Sequence, residues 1–314
     1  MTPERWEQIE RLYYSALERE ADERESFLDQ ACAKDHTYAL AWSGLSDSYM
    51  LLTVQNALSK DEAHPAAMEA ARKAVKYAPD LAEARTSLAH ALLHTNDLTG
   101  SEQEFRRAIQ IKPNYALAHH WFGEYLGYVN RPDEALAELR RALELDPLDL
   151  AINAELGWHY MLARQFDLAI DQYRKTLNIN PNYFLAHLWL GQSLLISRKY
   201  VEAANEFKRG VDLTKGNRGL GGLGTAYALL GKREDALQIV ADLQEQANGK
   251  RVNPMDLASI YAALGDEGRA FSELEKALKE SPPTLSAVPD NPAFDGLRTD
   301  ARYIDLMRRS GLAR

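Results

Sequence analysis

SEQEFRRAIQIKP (residues 101–113), ALAELRRALELDP (135–147) and AIDQYRKTLNINP (169–181) decide how the chain is to be read. Each opens on a small residue, carries a bulky apolar residue four positions later and closes on a proline. The closing residues Pro113, Pro147 and Pro181 stand 34 residues apart, with Pro79 one step earlier. Positions i and i+4 share one stripe of an α-helix. The proline ends that helix, because it has no amide to donate and disfavours helical geometry in the residue before it. The small column runs through Ala67, Ser101, Ala135, Ala169, Ala203, Ala236 and Ala270. The bulky one runs through Phe105, Leu139, Tyr173, Phe207, Val240 and Leu274, with Ala71 the undersized first member.

A second pair of columns precedes these. Leu45 leads a column in which Leu88, Phe122, Leu156 and Leu190 recur at the same period, continued at Leu223 and Leu257 after one deleted residue. From the second of these onward each is followed by a small residue: Ala89, Gly123, Gly157, Gly191, Gly224 and Ala258. A first helix with a bulky core position, and a small one where a second helix can approach, makes a tight helical hairpin.

These columns resemble the tetratricopeptide (TPR) family, whose 34-residue helix–turn–helix unit has this order of bulky, small and proline positions. The resemblance implies an all-α, right-handed superhelical solenoid of about seven hairpins. They are placed near 39–81, 82–115, 116–149, 150–183, 184–216, 217–250 and 251–284, with helical caps at 1–38 and 285–314. Stacked repeats need polar-faced caps at both ends. The first repeat departs from the pattern: TVQNALSKDEAHP (53–65) adds about nine residues between its helices relative to the 34-residue period, which predicts a surface loop.

The leader MTPERWEQIERLYYSALEREADERESFLDQAC resembles the segment that precedes the catalytic domain of a group of bacterial serine/threonine kinases. The tail NPAFDGLRTDARYIDLMRRSGL resembles the end of the repeat arrays on such kinases and on bacterial transcriptional regulators. The sequence has no H-R-D loop, no D-F-G and no strand lysine after a glycine-rich loop, so the resemblance implies bacterial signalling kinship without kinase activity.

Composition narrows the function classes. A net charge of −9 argues against a phosphate-tracking surface and hence against nucleic acid. No apolar run is long enough to span a bilayer, and the acidic start lacks the form of a secretory signal, so the expectation is a cytoplasmic protein without membrane contact. The lone Cys32 excludes an internal disulfide and is read as a buried small side chain. Gly219 to Gly224 match G-x-G-x-x-G but lack the preceding strand a dinucleotide motif needs. Their expected consequence is a weakened, flexible helix near 215–224. No cofactor is expected, and no nucleophile or acid–base pair stands out.

In the implied fold the first helices line a concave groove. Its candidate residues are Ser43 and Asp47 of the first repeat, Thr86, His90 and His94 of the second, His120, Glu124 and Tyr128 of the third, Trp158 of the fourth and Gln192 of the fifth. Family members that clamp carboxylate tails use Lys, Arg and Asn in these columns, and this chain has none there. The set suits a protein or peptide partner with apolar, aromatic or cationic character. His90, His94, His120 and Glu124 have the residue types for zinc, but no H-E-x-x-H string accompanies them, so a binding surface is preferred and a metal-dependent hydrolase is the least favoured alternative. The remaining alternative is a regulatory or oligomerisation module acting through its ends.

Overall fold

The computed structural model describes residues 39–54, 58–214, 218–246, 252–280, 285–286 and 288–312, and the leader with Cys32 lies outside them. The described residues are helical throughout their regular structure, with no strand among them. They fall into two compact units that divide between Pro147 and Leu148. In the first unit the helices are α1 (Ala39–Val54), α2 (Lys60–Tyr77), α3 (Ala82–His94), α4 (Leu98–Ile111), α5 (Ala116–Tyr128) and α6 (Pro132–Leu145). The second holds α7 (Leu150–Leu162), α8 (Phe166–Ile179), α9 (Phe184–Ile196), α10 (Tyr200–Thr214), α11 (Leu220–Leu229), α12 (Arg233–Gln246), α13 (Pro254–Ala263) and α14 (Glu267–Glu280). A 3-10 turn at Pro292–Leu297 and α15 (Ala301–Arg309) complete it.

The small and bulky columns face each other across each hairpin. A Cβ on Gly157 of α7 would lie 2.5 Å from the Tyr173 ring of α8, and one on Gly123 of α5 would lie 2.7 Å from Leu139 of α6. The glycines therefore let two helices approach closely enough to bury Leu139 and Tyr173 completely. Full burial of such a side chain is worth about 1.5–3 kcal/mol. Of the first-helix column, Leu45, Phe122, Leu156, Leu190, Leu223 and Leu257 are buried, while Leu88 is only partly so.

Each turn inside a hairpin has a left-handed residue at the repeat period: Asn96, Asn130, Arg164 and Arg198, then Gly231 and Gly265. Their φ values lie between 60° and 75°. Asn and Gly tolerate this conformation, whereas arginine carries a steric cost there. Both arginines are nonetheless held by carboxylates of the C-terminal segment. Arg164 contacts Asp290 at 2.5 Å and Arg198 contacts Asp295 at 2.6 Å.

One expectation changes. Most of 53–65 is helix and not loop: α1 runs through Val54, and α2 starts at Lys60 behind a capping box of Ser59 and Glu62. The reciprocal Ser59–Glu62 bonds satisfy amides that would otherwise fray the start of α2. The glycine-rich stretch is helical from Leu220, and its glycines admit close neighbours. A Cβ on Gly222 would meet Phe207 at 2.4 Å, and one on Gly224 would meet Ile260 at 2.6 Å.

Within each unit successive first helices touch directly: α1 with α3 and α3 with α5, then α7 with α9, α9 with α11 and α11 with α13. No two successive second helices come comparably close among the described residues. The first helices thus form the tighter side of each unit, where a repeat array presents its binding surface.

Candidate binding face and its histidine cluster

A polar bridge ties the two helices of four hairpins together. Arg85 donates to Glu104 (2.6 Å) and to the Pro79 carbonyl (2.7 Å). One repeat on, His119 donates from Nδ1 to Glu138 (2.6 Å) and from Nε2 to the Pro113 carbonyl (3.0 Å). Asn153 and Gln172 pair at 2.7 Å in the next, and His187 repeats the His119 geometry with Glu206 (2.6 Å) and the Pro181 carbonyl (3.0 Å). A carboxylate and a carbonyl can only accept, so this geometry favours the doubly protonated, charged ring at His119 and at His187. Burial opposes that charge, but the carboxylate and carbonyl outweigh it and raise both histidines above 6.5.

The first-helix face of the first unit holds a different set. His90 is buried and lies flat on Trp121, ring centroids 4.1 Å apart. Its Nε2 is 3.2 Å from Nε2 of exposed His94, one turn along α3, and 3.9 Å from Glu124 Oε2 on α5. His64, on α2, approaches the His94 ring at 5.6 Å. Burial, followed by the neighbouring His94, His120 and His64, pushes His90 down to about 3. Burial and then His64 and Lys60 push His94 down to about 4. Both are therefore neutral at physiological pH. His120 and Glu124 are half-buried, and Tyr128 is 65% exposed. On α1, burial pushes the Asp47 carboxyl up to about 7, the Ser87 hydroxyl offsetting part of this, and Asp47 Oδ1 has no hydrogen-bond partner.

In the second unit Trp158 and Gln192 are half-buried, and Trp158 packs on Trp189 with centroids 5.7 Å apart. The corresponding column residues further on are not open. Thr225 is buried within α11, and Ser259 is buried beside Asn291 of the C-terminal segment, whose side-chain amide lies 3.4 Å from its hydroxyl. The structure thus unites His90, His94 and Glu124, whereas Trp158 and Gln192 belong to the other unit. Sequence reasoning missed Trp121 and Trp189. Their signal is the pair LAHHWFGE (117–124) and LAHLWLGQ (185–192), two repeats apart.

An all-α array of hairpins with these columns defines a class, and comparison with known proteins agrees. One family model for the tetratricopeptide repeat matches residues 56–116, 122–184 and 155–218, and another matches 255–284. The chain belongs to the tetratricopeptide repeat family. A search of curated proteins gives no match. Among solved structures it is similar to Pseudomonas aeruginosa PilF, at 21% identity over 67% of this chain and 95% of that one, with a TM-score of 0.53. It is also similar to the type IV pilus biogenesis factor PilW (22% identity, 66% and 95% covered, TM-score 0.56). A third is the APC/C hetero-tetramer Cut9–Hcn1 (15% identity, 92% and 58% covered, TM-score 0.58). At these identities the similarity is one of fold. The fold is that of a protein-interaction scaffold, a stack of repeats that presents an extended surface. Among the described residues no helix is long and apolar enough to cross a membrane.

Proposed function

We propose that the protein is a non-enzymatic scaffold that captures a peptide or helix of a partner protein, in bacterial signalling, on the surface lined by its first helices. The observation that carries this reading is the set of large aromatic side chains that the first helices leave at least partly accessible. Tyr128 is 65% exposed, and Trp158 and Trp189 keep part of their rings accessible. Aromatic side chains of this kind dominate the energetics of protein interfaces. Glu124, on the same helix as Tyr128, favours a segment with cationic side chains, and the aromatic rings suit cationic or apolar ones. Asp47, His90, His94, His120, Glu124 and Tyr128 form the candidate surface in the first unit, and Trp158 and Gln192 that in the second.

The test is position-specific crosslinking in cells. A photo-crosslinker at Gln192 should yield a discrete partner adduct, and one at exposed Lys175 on the outer side of α8 should not. Trp158→Ala should remove the Gln192 adduct without changing the melting temperature by more than a few degrees. Equal products from both positions, or none from Gln192, would rule the reading out.

A further inference from the structure

We propose that His90, His94 and Glu124 form a binding site for a zinc-class divalent ion that clamps α3 to α5. The two histidines are four residues apart on α3, which sets both rings on one face. Their Nε2 atoms lie 3.2 Å apart. Two nitrogens that share a tetrahedral zinc at its usual bond length are separated by about 3.3 Å. Glu124 Oε2 is 3.9 Å from His90 Nε2, and the ligand atoms of all three residues lie within 4.8 Å of one another. The Glu124 side chain is 40% exposed, and ligation would require its outer torsions to turn toward the two rings. Stacking on Trp121 holds the His90 ring in place, which lowers the ordering cost of binding.

The donor set selects the metal. Two imidazoles and one carboxylate suit zinc and its late first-row neighbours, whereas magnesium and calcium call for all-oxygen sites. Three protein ligands leave the fourth tetrahedral position to water or to an incoming side chain. A direct histidine–histidine hydrogen bond would give the same 3.2 Å separation, and the metal titration below tells the two apart. The second unit supplies the contrast. Two repeats on, the positions of His90, His94 and Glu124 hold Trp158, Leu162 and Gln192, while the supporting Trp121 is matched by Trp189. Packing alone is met there by apolar and neutral side chains, so the three ligand types in the first unit answer a different demand. The site stands whether or not the first-helix surface holds a partner.

The experiment uses the full chain without an affinity tag, stripped with chelator and titrated with zinc chloride against a competing colorimetric chelator. Cobalt(II) serves as a spectroscopic substitute. Wild type should bind one ion per chain, give the strong visible absorption of tetrahedral cobalt and gain melting temperature with zinc. His94→Gln and Glu124→Gln alter accessible side chains, so both should fold, as far-UV circular dichroism with chelator present would verify. Each should weaken zinc binding by at least about tenfold and lose the thermal gain. Absence of stoichiometric zinc in wild type, or wild-type affinity in both variants, overturns the proposal.

Discussion

LAHHWFGE in the first unit and LAHLWLGQ in the second are the same piece of structure carrying different chemistry. In both, the leading histidine, His119 or His187, bridges its hairpin to a glutamate and a proline carbonyl at matching distances. In both, the tryptophan two residues later receives a ring from the preceding first helix: His90 on Trp121, Trp158 on Trp189. The remaining positions diverge. His94, His120, Glu124 and Tyr128 of the first unit are matched by Leu162, Leu188, Gln192 and Ile196 of the second. What closes a hairpin recurs because each hairpin has the same helix pair to join. What faces away from the hairpin is free to differ, and that is where function is to be sought.

The sharpest break of the shared frame is Gly157→Ala. The added methyl would enter the buried Tyr173 ring at 2.5 Å. Overpacking of this kind costs about 1–3 kcal/mol, against a helix-propensity gain of at most about 1 kcal/mol. Chemical denaturation should show a net loss, and a second change, Tyr173→Leu, should recover part of it. If Gly157→Ala alone were stabilising, the close approach of α7 and α8 would not be what limits this column.

Next in size is the bridge. Folding raises His119 and His187 above 6.5, so their contribution is fully present below the unfolded value of 6.5 and is lost as pH rises through the folded one. The double change His187→Asn with Glu206→Gln copies the neutral Asn153–Gln172 pair of the intervening repeat. Urea midpoints measured from about pH 5.5 to about 9 should show wild type losing stability toward the alkaline end and the double variant losing less of it. His187→Ala alone leaves Glu206 without its charged donor and should cost about 1–3 kcal/mol at the acidic end. A wild-type slope of the opposite sign would mean that these histidines are neutral in the fold.

Smaller effects come from the turns and from the open surface. Arg198→Gly removes the steric cost of a left-handed arginine but also its contact with Asp295, an exposed pair of little weight. A gain of about 0.5–1 kcal/mol in thermal or urea unfolding is expected. A loss would show that the Asp295 contact anchors the C-terminal segment. Tyr128→Ala, at an exposed site, should leave stability within about 0.5 kcal/mol of wild type while weakening any partner held on that face. A larger destabilisation would move Tyr128 from the variable face to the shared frame.

Much of the frame was legible from the chain. The glycine and alanine column after Leu88, Phe122 and Leu156 could be read because a residue that limits helix approach must be small in every hairpin. The bridge was harder, because Arg85, His119, Asn153 and His187 share a role without sharing a residue type. Apolar periodicity does not register such a column. The grouping of His90, His94 and Glu124 was visible in the 34-residue alignment, but the flat contact with Trp121 was not, since it depends on how far α3 and α5 turn toward each other. The loop expected over 53–65 failed because the Ser59–Glu62 capping box started α2 earlier than the repeat pattern suggested.

By itself, then, the sequence determined the helical period, the hairpins and the family. These follow from local geometry repeated many times, so each copy corroborates the others. Only the tertiary structure decided which first-helix residues stay open, as Tyr128 does, which are buried, as Ser43 and Thr86 are, and which meet. It brought two imidazoles within 3.2 Å of each other beside a carboxylate, and it buried Ser259 beside Asn291, 32 residues further along the chain. Such contacts are made once, between elements whose separation no period encodes, and the packing of the helices sets them.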